Sequence, residues 1–172
     1  DYRLPRRRHT VTVSDAQRAL RLARANAGAW SLQPDRIGIM GFSAGGHLAS
    51  TAGTHFTAGT PGAADAVERL SCRPDFMILI YPVIRLDGQG HKGTRANLLG
   101  PDPKPELLAL YSNERQVTDQ TPPAYLVHAQ DDKVVPPLNS ASFRDALKAH
   151  NIPVEYLELP SGGHGLNGYK GP

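Results

Sequence analysis

Gly41-Phe42-Ser43-Ala44-Gly45-Gly46 is the stretch whose reading decides the fold of this chain. An apolar run, Ile37-Gly38-Ile39-Met40, precedes it, and a helix-forming run, residues 47–52, follows. Strand, then Gly-x-Ser-x-Gly, then helix is the context of a nucleophile elbow. The turn is so sharp that Ser43 must take a strained backbone, which lifts its hydroxyl above the sheet edge. Gly41 and Gly45 are expected to be glycine because side chains there would collide with the neighbouring strand and helix. The backbone N–H of Ala44 opens the helix and can face an oxyanion.

Size and composition limit what surrounds the elbow. The chain has 172 residues, 40% of them hydrophobic and 20% charged, which fits one globular domain and excludes a disordered chain. The net charge is only +3, and part of it is the local run Arg6-Arg7-Arg8. Without interleaved aromatic residues that run reads as a solvated turn, so no nucleic-acid surface is expected. Cys72 is the single cysteine, which excludes an internal disulfide and a cysteine zinc site. No apolar run approaches the roughly 20 residues of a membrane span. The chain opens on Asp1-Tyr2-Arg3 without Met, so a piece of a longer chain is expected.

Working outward, residues 1–5 read as the tail of a strand. Ser14 or Asp15 can cap a helix in which Ala16, Ala19, Leu20, Ala23 and Ala27 recur at helical spacing, ending near Gly28. A strand is expected over 36–40 and the elbow helix to about Thr54. Residues 55–74 read as a surface excursion. Residues 76–81 form an unbroken apolar run, as in a strand buried on both faces. Residues 83–105 read as a long, pocket-shaping loop. A short helix is expected over 106–111, with Ser112 capping the next turn. Strands at 124–128 and 154–159 flank a helix over 139–150. Strands alternating with helices predict a mostly parallel sheet with helices on both faces. Ligands bind such sheets beyond the carboxyl ends of the strands. Ser43, Asp131/Asp132 and His164 each lie just past such an end.

A serine hydroxyl needs a base, and the base needs a carboxylate on its other nitrogen. The order here is Ser, Asp, His, which is the α/β-hydrolase order. His164, between Gly163 and Gly165, is the best base of the seven histidines. His47 is expected to pack within the elbow helix, and His128 to support the acid loop. His9, His55, His91 and His150 carry no catalytic signal, although His91 can line a pocket. No histidine pair has metal-ligand spacing. Asp131 and Asp132 point apart on an extended loop, so only one can face His164. The residues alone do not choose between them.

These motifs, with residues 1–5, 15–30 and 34–49, Asn97-Leu98-Leu99-Gly100, Asp131-Asp132-Lys133-Val134-Val135-Pro136 and Gly162-Gly163-His164-Gly165, resemble the α/β-hydrolase esterases. The similarity is to the acetyl xylan esterase branch, related to the hormone-sensitive-lipase-like esterases. The resemblance implies that the acid is Asp132, with Asp131 as the fallback. It implies catalysis by Ser43, Asp132 and His164, with Ala44 at the oxyanion and no cofactor or metal. It also implies removal of acetyl or other short acyl groups from a polysaccharide or small-molecule ester, and many members of the group are exported. The chain departs from the pattern in one respect. The family's His-Gly-Gly oxyanion loop precedes the stretch at which this chain begins. Residues 1–172 are therefore expected to form a single α/β-hydrolase domain lacking its first strands and its closing helix. That leaves an exposed sheet edge and one oxyanion donor, and losing a donor typically costs about 100- to 1,000-fold in rate. An amidase or peptidase on the same fold is the alternative within the chemistry. A binding domain with an impaired triad is the alternative outside it.

Overall fold

The structure is a computed structural model, and it describes residues 8–88 and 90–167. The strand tail at 1–5 and the basic pair Arg6-Arg7 lie outside the described residues. The elements run α1 (Arg8–Ala25), β1 (Ile39–Phe42), α2 (Ser43–Thr54), β2 (Met77–Ile80), α3 (Lys92–Leu99), α4 (Pro105–Leu110), β3 (Ala124–Ala129), α5 (Leu138–Ala149) and β4 (Val154–Leu159). Short 3-10 turns stand at Ala66–Arg69 and Asn113–Arg115. The strands form one parallel sheet in the order β1-β2-β3-β4. This is the α/β-hydrolase fold.

In a parallel ladder, paired residues point to the same face. Ile39, Met77, Leu79, Ala124, Leu126, Val154 and Tyr156 therefore share one face, where they pack with Ala49 of α2 and Phe143 and Leu147 of α5. α1 packs behind α2 through Leu20 and Ala52. α3 and α4 pack on Val83, Leu86 and Tyr111, in the loops after β2. Every helix of the described residues is thus on the first face or on those loops, and the second helical layer is not among them. On the other face Met40 and Phe42 are 54% and 51% exposed. For the same reason β2 alternates buried and half-buried residues rather than being buried on both faces.

Several boundaries differ from the sequence reading. α1 starts at Arg8, not at Ser14 or Asp15, and the Ser14 hydroxyl donates to the Thr10 carbonyl inside the helix. The β-branched run Thr10-Val11-Thr12-Val13 is a poor helix former, but Val13 gains a partner in the cluster of Val83, Leu86 and Tyr111. β1 starts at Ile39 rather than at residue 36, because the Ile37 N–H is taken by the Asp75 carboxylate at 2.8 Å.

The 55–74 excursion is tied down rather than loose. Arg21 donates to Leu70 O and Thr57 Oγ1, Arg24 donates to Ser71 O and Arg73 O, and Cys72 is fully buried. Residues 83–105 are not one long loop. They contain α3, whose first turn is capped by His91 Nδ1 accepting from Thr94 N at 3.1 Å. Val83, Ile84 and Leu86 within that segment are fully buried. Ser112 does not cap the next turn, because its hydroxyl accepts from Leu86 N.

Candidate active site

The elbow is built from its glycines outward. A Cβ on Gly41 would lie 2.2 Å from Gly45 O, and one on Gly46 would lie 2.6 Å from Pro82 Cβ. Gly45 differs from the expectation, since a Cβ there meets nothing within 4 Å. The close approach is therefore made by Gly41 and Gly46. Ser43 takes φ +50°, the left-handed region that side chains disfavour. Its carbonyl accepts from Val83 N at 2.9 Å, which fastens the strained turn to the segment after β2. The residue before α2, Phe42, makes no side-chain cap hydrogen bond to the first N–H groups of the helix, which include that of Ala44.

The three side chains singled out in the sequence come together. Ser43 Oγ lies 2.9 Å from His164 Nε2, and His164 Nδ1 lies 2.8 Å from Asp132 Oδ2. The acid side chain is fully buried and the imidazole is 23% exposed. Asp132 Oδ1 accepts from Val134 N and Val135 N at 2.9 and 3.0 Å. Burial works against the charge on Asp132. The hydrogen bond from His164, then those from the two backbone N–H groups, outweigh it and hold the carboxyl below its ordinary range.

The other aspartate has a separate task. Asp131 Oδ1 accepts from Gly163 N at 2.7 Å, tying the acid loop to the residue before His164. That base loop turns through Gly162, Gly163, Gly165 and Leu166, all at positive φ.

His128 supports the acid from beneath. Its Nε2 is 2.9 Å from Val135 O and 3.2 Å from Asp132 Oδ2, and its Nδ1 is 2.8 Å from Ser140 Oγ. A carbonyl can only accept, so Nε2 carries the hydrogen and the Ser140 hydroxyl donates to Nδ1. Burial pushes the His128 imidazole toward the neutral form. His47 is buried in α2 with Nε2 2.8 Å from Tyr111 O, and burial lowers its pKa to about 4.

Tyr81 was not singled out in the sequence. It sits at φ +37° with its ring 4.7 Å from that of His164. Its only advance signal was its position as the last residue of an apolar run, before Pro82. Among the described residues no group of three or more His, Cys, Asp or Glu side chains could hold a metal ion. No described helix is long and apolar enough to cross a membrane.

The sequence pattern of the BD-FAE family matches residues 1–147. The chain belongs to the BD-FAE family. The matched span carries Ser43, Ala44, Asp131 and Asp132, and His164 follows it. Among similar proteins, an acetylxylan esterase of Xylanibacter ruminicola is 36% identical over 171 residues, 96% of this chain and 33% of that protein. Endo-1,4-beta-xylanase B of Butyrivibrio fibrisolvens is 38% identical over 161 residues, 92% of this chain and 25% of that protein. This BD-FAE chain thus spans a quarter to a third of the length of these two relatives. An acetyl ester-xyloside bifunctional hydrolase from Caldicellulosiruptor lactoaceticus superposes with a TM-score of 0.93 at 46% identity. That match covers 96% of this chain and 61% of the other.

Proposed function

We propose that this chain is the catalytic portion of a serine carboxylic-ester hydrolase. The observation that carries the reading is the unbroken hydrogen-bond chain from Ser43 through His164 to Asp132. Ser43 Oγ attacks the acyl carbonyl while His164 Nε2 takes its proton. Negative charge gathers on the former carbonyl oxygen, which faces the Ala44 N–H. Asp132 holds Nδ1–H and stabilises the imidazolium. The ester C–O bond then breaks, and His164 returns the proton to the leaving alcohol. Water, activated by the same base, cleaves the acyl-enzyme and restores Ser43.

Similarity to a protein named acetylxylan esterase and to an acetyl ester-xyloside hydrolase supports acetylated xylan or a related short-acyl carbohydrate ester as substrate. Replacing Ser43 with Ala is expected to remove p-nitrophenol release from the acetate ester to background. Turnover equal to wild type would refute the assignment. The matching anilide tests the amidase alternative.

A further inference from the structure

Tyr81 follows the last residue of β2, and its ring pairs with two neighbours at the site. Its centroid lies 4.7 Å from that of the His164 ring, at an interplanar angle of 60°. It lies 6.1 Å from that of Phe42, the residue before the nucleophile. These are the separations of tilted aromatic pairs that attract. The Tyr81 backbone is at φ +37°, the left-handed region that a bulky side chain disfavours. Ties on both sides hold it there. Tyr81 N–H donates to Val127 O at 2.7 Å, and Val83 N–H donates to Ser43 O at 2.9 Å. Between them, Pro82 is packed so closely that a Cβ on Gly46 would lie 2.6 Å from its own Cβ. A glycine at position 81 would meet these ties without strain. It would supply no ring.

We propose that Tyr81 is a positioning residue for the base: its ring backs the His164 imidazole and keeps Nε2 directed at Ser43 Oγ. The inference rests on Ser43 and His164 being nucleophile and base. The imidazole needs such a backing. It is 23% exposed, and its loop turns through Gly162, Gly163 and Gly165 at positive φ. Glycines leave a loop conformationally permissive. Asp132 Oδ2 fixes Nδ1 at 2.8 Å, but a hydrogen bond at one ring nitrogen lets the ring swing about that contact. The swing carries Nε2 away from Ser43 Oγ, which lies at 2.9 Å. The Tyr81 ring stands against the imidazole and limits that swing. It acts through packing, so its hydroxyl is not required. Backbone strain kept at a residue touching the base is the pattern of a position that serves a site rather than stability.

The test is p-nitrophenyl acetate hydrolysis by Tyr81→Phe, Tyr81→Asn and Tyr81→Gly, with enzyme counted as Ser43 labelled to completion by a fluorophosphonate. Asparagine and glycine both accept the left-handed backbone, so either serves if the other fails to fold. In each, kcat per labelled serine is expected to fall about tenfold or more with KM within about twofold, since a misplaced base slows the chemistry and leaves binding alone. Tyr81→Phe keeps the ring and is expected to stay within about twofold of wild type in both constants. An unchanged kcat in whichever variant lacks the ring, a loss confined to KM, or a loss in Tyr81→Phe equal to that in Tyr81→Asn overturns the proposal. Labelling separates the two levels of failure. A normal adduct on Ser43 with an unchanged Tyr81→Asn kcat removes the positioning role alone. No adduct on folded wild-type protein removes the nucleophile reading and the role of Tyr81 with it.

Discussion

A methyl group at position 41 would sit 2.2 Å from the backbone carbonyl oxygen of Gly45, whereas the same methyl at position 45 would touch nothing. Gly41→Ala is therefore expected to destabilise the fold by about 1–3 kcal/mol or more, because backbone cannot step aside. Gly45→Ala is expected to stabilise it by about 0.5–1 kcal/mol, since alanine suits a helical position better than glycine. Urea unfolding of the two variants checks both signs. The motif makes these glycines look equivalent, and only the distances separate them. Ser43, His164 and the pair Asp131/Asp132 were legible because chain order and position past a strand end are properties of sequence, whereas the choice of Asp132 within the pair came only from the family resemblance. The role of Asp131 was not, because it depends on where the Gly163 N–H points once the base loop has turned.

At the scale of elements, the acid loop and the base loop come from successive strands, β3 and β4, and are joined by the Asp131–Gly163 hydrogen bond. Asp131 is exposed, so its substitution leaves the core intact. Asp131→Ala is expected to lower kcat about tenfold with little change in KM, as the imidazole loses its fixed position relative to Ser43. Asp131→Asn keeps the Oδ1 acceptor and is expected to stay near wild type. Steady-state kinetics on the two variants distinguishes an accepting oxygen from a mere charge. Legibility among the elements followed local signals. β3, β4 and α5 have clean apolar patterns, and their observed limits lie within a residue of the reading. α1 and α3 start where propensity argues otherwise, the first on a β-branched run held by Val13, the second on a histidine cap.

For the molecule as a whole, the buried imidazoles set the response to acid. His47 titrates near 6.5 in the unfolded chain but at about 4 in the fold, chiefly through burial. Between these values the unfolded chain binds the extra proton, so stability is full above about pH 6.5 and falls toward pH 4. The loss attributable to His47 is about 3 kcal/mol. His128, lowered by burial, and Asp132, held low by its donors, act in the same direction. Unfolding free energies at pH 7 and pH 4.5 are expected to differ less in His47→Gln than in wild type.

The helical face of the sheet explains the single dominant core. The arrangement of strands carries a different message. β4 is one of the two outer strands of the described sheet, paired there only with β3, and it delivers His164. On the proposed mechanism, a molecule whose last strand has peeled away keeps its elbow but has no proton acceptor beside it. Turnover then behaves as an all-or-none gauge of edge attachment: a population half frayed would show half the active centres, each working at full speed, rather than one uniformly slowed enzyme.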